Sequence, residues 1–209
     1  MSPTNPPPAV SMPQNAARVM HDSCRMCAEP VPILRASAVV LAAGAATRFG
    51  APKQLLLLGH VLDRLARAGV GDVVVVAGAH PLDAPSARVV VAPDWERGPG
   101  VSLRAGLAAL GPDVEAAVVV LADGPLLAPG SVARVVNAWR DGAGEIVAAG
   151  YGGARGHPLV LGRAVWGRVP DEGLRALPVT LVPCDDLGAP GDVDTPADLR
   201  DLGLEPNED

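Results

Sequence analysis

Leu41-Ala42-Ala43-Gly44-Ala45-Ala46-Thr47-Arg48-Phe49-Gly50-Ala51-Pro52-Lys53-Gln54-Leu55 takes over from the apolar run Ala38-Val39-Val40-Leu41, and that junction decides the fold. An apolar run without polar alternation reads as a strand buried on both faces of a parallel sheet. The residues after it cannot prolong a regular element. Gly44 and Gly50 let the backbone approach a ligand closely, and Arg48 and Lys53 bring two cations to the same turn. Backbone N–H groups with Arg and Lys at the end of a parallel strand are what a bound triphosphate needs. Sixteen of the seventeen basic residues are arginine, and the single lysine is Lys53. A compact ammonium, able to touch several oxygens, is therefore wanted at this position. The stretch lacks the Gly-Lys-Ser/Thr ending of a Walker A loop and the G-x-G-x-x-G of a dinucleotide fold. Taken alone, it also fits an ordinary strand-to-helix turn carrying two solvated cations.

With 209 residues, 49% of them hydrophobic, the chain can bury one full core. No apolar run nears the ~20 residues of a membrane span. A net charge of −6 argues against a nucleic-acid surface, and five aromatic residues argue against base stacking as a main theme. Neither nucleic acid nor membrane is an expected partner, and the cytoplasm is the expected compartment, since no signal peptide is visible. Residues 1–35 hold seven prolines and little periodicity, and read as a disordered or extended N-terminal tail. Met12, Met20 and Met26 offer alternative starts within it. His21, Cys24 and Cys27 form an H-x-x-C-x-x-C group there without an apparent fourth ligand. With Cys184 they make no disulfide framework.

Beyond the opening turn, Val61–Ala68 reads as an amphipathic helix. Asp72–Ala77, Arg88–Ala92, Ala117–Ala122, Glu145–Ala149 and Val179–Val182 read as strands, with a helix around Ser131–Trp139. Gly98-Pro99-Gly100 opens another helix, whose first turn carries Ser102 and faces the strand ends. Asp123 follows a central strand directly, the usual place for a metal or ligand contact in an open α/β sheet, or for a turn cap. Thr195-Pro196 reads as a helix start. Strands alternating with helices indicate a three-layer Rossmann-like α/β fold with a mainly parallel sheet over residues 36–209.

Leu41-Ala42-Ala43-Gly44 with Arg48, Gly50 and Lys53 resembles the L-A-A-G-x-S-x-R-M-G-x-x-K-x-L signature of the MobA-like nucleotidyltransferases, closest to the molybdenum cofactor cytidylyltransferases. Trp95–Gly106, the G-x-x-G-H-P turn ending in Gly156-His157-Pro158, a shortened G-D-x-G-A-R segment at Asp171–Arg175, and Asp192-Val193-Asp194-Thr195-Pro196 extend the resemblance from Ala38 to Leu199. It implies the nucleotide-diphospho-sugar transferase fold and transfer of CMP from CTP, or of another nucleotide from its triphosphate, to a molybdopterin-type acceptor. Arg48 and Lys53 would then be catalytic. Leu41, Ala42, Ala43, Gly44, Gly50 and Ser102 would bind the nucleotide, and Arg155, Gly156, His157 and Pro158 the acceptor. Asp123 and Asp194 would hold Mg²⁺, with Asp192 behind them. Ala46, Gly124, Ala197 and a shortened segment after Gly59 depart from the family pattern. They leave room for a cofactor carrier serving a molybdenum hydroxylase. Some members of the subfamily are named NAD(P)H oxidoreductases of the nicotine-blue type, for which this chain carries no dinucleotide fingerprint.

Overall fold

The computed structural model describes residues 36–45, 53–191, 193 and 195–203. The tail at 1–35, with His21, Cys24 and Cys27, lies outside the described residues, as do Arg48, Gly50, Asp192 and Asp194.

Seven strands, β1 (Ala36–Ala42), β2 (Val73–Ala77), β3 (Arg88–Val91), β4 (Ala116–Leu121), β5 (Ile146–Tyr151), β6 (Ala154–Gly162) and β7 (Thr180–Pro183), form one sheet in the order β3-β2-β1-β4-β6-β5-β7. β1 pairs parallel with β2 and β4, β2 with β3, and β5 with β7. Only β6 runs the other way, between β4 and β5. The helices are α1 (Lys53–Arg67), α2 (Pro99–Ala108), α3 (Pro129–Arg140) and the short α4 (Pro196–Asp201). This is the expected nucleotide-diphospho-sugar transferase arrangement. Among the described residues, no helix is long and apolar enough to cross a membrane.

Valine and alanine dominate β1, β2 and β4 because both sheet faces are covered. Val40, Val75, Val118 and Val120 face α1 and α3, where Leu58, Val61, Leu65, Val132 and Val135 complete one core. Val39, Val74, Val76 and Val119 point the opposite way, onto Leu103 and Leu107 of α2. Alternation along each strand thus makes the three layers.

Two local expectations need correction. The helix after the glycine turn begins at Lys53, not Val61, and it carries Gly59 on its exposed side. Leu57, Leu58, Val61 and Leu65 recur at helical spacing and are all buried, and that burial outweighs the roughly 1 kcal/mol cost of one helical glycine. Gly156-His157-Pro158 lies on strand β6 rather than on a turn. The turn is Gly152-Gly153, both at positive φ, where β5 hands over to β6.

Candidate functional site

Lys53 meets the chain that leaves the carboxyl end of β4. As the first residue of α1 it brings a cation to a helix N-terminus, which the helix dipole disfavours, and local partners offset that. Its Nζ donates to Asp123 Oδ2 at 3.0 Å and to the Val193 carbonyl at 2.5 Å. Its side chain is 8% exposed and that of Asp123 25%. Val193 closes the knot by donating its own N–H to the Asp123 carbonyl at 3.1 Å. Three distant segments are joined here: the start of α1, the end of β4 and the strand of chain that enters α4. Asp123 and Lys53, singled out in the sequence, are brought together, whereas Arg48, Gly50 and Asp194 lie outside the described residues.

Leu41, which packs on the α2 side of the sheet, leads into Ala42, Ala43 and Gly44, whose loop is tied down by its carbonyls. Ala43 O accepts from Ala79 N at 3.0 Å, Gly44 O from Gln54 Nε2 at 2.8 Å, and Ala45 O lies 3.1 Å from His80 Nε2. A peptide's N–H points opposite to its carbonyl, so the N–H groups of Gly44 and Ala45 face away from these anchors. The Ala43 methyl backs onto Gly78, where an added Cβ would stand 2.7 Å from it and 2.8 Å from Trp95 Cγ. Gly78, His80 and Gln54 are the site residues that sequence reasoning missed. The only available sign was that Gln54 follows Lys53. Gln54 is buried, and its Oε1 has no hydrogen-bond partner.

A cavity of about 740 Å³ opens between α2 and the ends of β1, β4 and β6, reaching Leu121 at the end of β4. Leu41, Leu103, Leu121 and Leu159 give it an aliphatic wall, and Arg155, Gly156 and His157 line it from β6. Pro158 is buried in the next position along the strand. Arg155 donates to the Leu174 carbonyl at 2.8 Å, and burial lowers its pKa. His157 is held at a pKa of about 4, first by burial and then by the Arg155 charge, against the opposing pull of Asp123. Its imidazole is therefore neutral at physiological pH. The first turn of α2 does not offer all its donors to a ligand, because Gly100 N donates to Asp171 O at 2.9 Å. Ser102, on that turn, is buried and is not part of the cavity wall.

Asp123 fits a hard divalent cation. Its Oδ1 is buried without a hydrogen-bond partner, and carboxylate oxygens suit Mg²⁺ or Mn²⁺. Among the described residues, no group of three or more His, Cys, Asp or Glu gathers to hold an ion.

Residues 38–178 match the model of the MobA-like NTP transferase domain. The chain belongs to the MobA-like NTP transferase family. Rv0371c from Mycobacterium tuberculosis H37Rv is 33% identical, with 82% of this chain and 100% of that one aligned at a TM-score of 0.66. The same protein in complex with manganese aligns at 30% identity over 80% of this chain and 97% of that one, with a TM-score of 0.62. CMP:2-keto-3-deoxy-manno-octonic acid synthetase complexed with CTP shares the fold, at 15% identity, a TM-score of 0.61, and 80% and 96% coverage. Among curated proteins none matches the chain. A MobA-like domain is a nucleotidyltransferase, and the Lys53–Asp123 knot stands where this MobA-like sheet ends its central strands.

Proposed function

We propose that this domain transfers CMP from CTP to molybdenum-bound molybdopterin, giving molybdopterin cytosine dinucleotide and pyrophosphate. The observation that carries the reading is the buried Lys53–Asp123 contact, with an unpartnered Asp123 Oδ1, together with a cavity lined by Arg155 and by a His157 that feels the Asp123 charge. The backbone of Leu41, Ala42, Ala43, Gly44 and Gly50, with Ser102 behind it, cradles the nucleotide. Arg48 and Lys53 neutralise the transferred and leaving phosphates. Arg155, Gly156, His157 and Pro158 shape the acceptor site.

An oxygen of the acceptor's terminal phosphate attacks the α-phosphorus of CTP. The bond from that phosphorus to the bridging oxygen breaks, and pyrophosphate leaves. The nucleophile is already anionic, so no general base is required, in keeping with a His157 that stays neutral and positions rather than titrates. Asp123, with Asp194, would hold Mg²⁺, which would supply electrostatic stabilisation of the phosphate charge. The manganese complex of Rv0371c supports a divalent cation, and the CTP complex of the octonic acid synthetase shows that enzyme's fold accommodating CTP. Cytosine preference rests on the Leu41-Ala42-Ala43-Gly44 resemblance.

Pyrophosphate release from CTP or GTP, with molybdopterin and with or without Mg²⁺, tests the reading. Mg²⁺-dependent release from CTP is expected. Preference for GTP overturns the choice of base, and no release from either overturns catalysis in favour of a carrier.

A further inference from the structure

We propose that Asp171 is a positioning residue that fixes the roof of the acceptor cavity, so that the Arg97–Asp171–Arg104 clamp sets acceptor affinity and leaves the nucleotide untouched. This rests on the 740 Å³ cavity being the acceptor site, as proposed above.

The segment 169–175 has no helix or strand to hold its shape, yet it forms one wall of the cavity through Glu172, Gly173, Leu174 and Arg175. It is sewn along one side to α2 and to the Trp95–Arg97 turn before it. Arg97 Nη2 donates to Asp171 Oδ2 at 2.8 Å, and Arg104 Nη2 donates to Oδ1 of the same carboxylate. The second Arg104 nitrogen donates to Val169 O at 2.6 Å. Two guanidiniums therefore hold one carboxylate by both oxygens, and they keep its pKa below the usual carboxylate value. Backbone contacts reinforce the grip. Gly100 N donates to Asp171 O, and a Cβ at Gly100 would stand 1.7 Å from Pro170 O. Only glycine permits so close an approach.

The opposite side of the segment is pinned from the cavity floor. Arg155 reaches from β6 to the Leu174 carbonyl, three residues past Asp171. Whatever moves Asp171 off α2 therefore also moves the carbonyl that orients Arg155. Asp123 and the Ala43–Ala45 loop make no hydrogen bond to the segment among the described residues, and α2, which carries Ser102, is held on the sheet by its buried Leu103 and Leu107, so the nucleotide side stays in place. The ion pairs are half-exposed, and such pairs add little to global stability. Their effect is on geometry, which makes the test clean.

The experiment measures equilibrium binding of isolated molybdopterin, without nucleotide or metal, and separately of CTP, to the full chain and to D171N, R104Q and D171E. Expected are losses of molybdopterin affinity of about tenfold or more in D171N and R104Q, with CTP affinity within about twofold and substantial recovery in D171E. Unchanged molybdopterin affinity in D171N, or equal losses for both ligands, overturns the proposal. So does a full chain that binds no molybdopterin. A full chain that binds molybdopterin yet releases no pyrophosphate defeats the catalytic reading alone and leaves the clamp standing.

Discussion

The ammonium of Lys53 sits 3.0 Å from Asp123 Oδ2, seventy positions along the chain, and holds the Val193 carbonyl at the same time. The residue expected to face phosphates is thus also a structural pin. The same charge that would neutralise a leaving group keeps a carboxylate compensated in the described state. Chemistry and stability are coupled at this one side chain.

Lys53→Met should therefore lower both. Breaking a fully buried pair costs about 3–5 kcal/mol, and the partial exposure of Asp123 brings the expected loss to about 1–3 kcal/mol. Turnover should fall roughly 100-fold, the scale of losing one well-placed electrostatic donor. Thermal denaturation and pyrophosphate release report the two effects. Unaltered melting would mean that the contact holds nothing together.

One substitution, Gly→Ala, should have opposite signs at two helical sites. A Cβ at Gly59 meets nothing within 4 Å, so Gly59→Ala should stabilise by about 0.5–1 kcal/mol. At Gly106 the Cβ would stand 2.5 Å from Val39 Cγ1 and 2.7 Å from Val76 Cγ2. Gly106→Ala should overpack the α2 face and destabilise by about 1–3 kcal/mol. Denaturant unfolding of both variants decides the matter.

His157 should make the fold sensitive to acid. Its folded pKa of about 4 lies below the unfolded value of 6.5, so between those values only the unfolded chain takes up the proton. The stabilisation is complete above pH 6.5 and is lost as pH falls towards 4, by on the order of 3 kcal/mol. His157→Gln should flatten that part of the stability profile. Imidazole NMR showing a midpoint near 6.5 in the folded protein would contradict this account.

Thr195 should matter to the site although it touches no ligand. It accepts from Asp198 N, and Asp198 bonds back to Thr195 N, which starts α4. Leu199 of α4 then packs with Val193 and Leu57, next to the carbonyl that Lys53 grips. Thr195→Ala should cost about 1 kcal/mol. It should also reduce turnover more than a substitution at exposed Arg200 does, as parallel assays of the two variants would reveal.

Local signals made much of this readable from residues alone. Valine runs gave strands at their observed places, because a strand covered on both sides has no polar face to interrupt it. Lys53 stood out as the one lysine, Asp123 by its place after a central strand, and Thr195-Pro196 as a helix start. The beginning of α1 was hidden, because Gly59 looks like a breaker until Leu57, Leu58, Val61 and Leu65 are seen buried on one side.

Other features were decided by packing between distant parts. Nothing in the residues of β6 marks it as antiparallel. Strand direction is set by which neighbours it joins, here β4 and β5. Gln54 and His80 gained roles only because the carbonyls of Gly44 and Ala45 come to them. Asp171 gained its role because two arginines, 74 and 67 positions earlier, meet it from the turn before α2 and from α2 itself. The sequence by itself determined the strand-turn-cation pattern at Leu41–Lys53, since hydrophobic period, glycine and charge act over a few residues. Tertiary structure alone decided that Lys53 grips Asp123 and Val193, because a hydrogen bond needs its partners within about 3 Å, and only the folded sheet brings them that close.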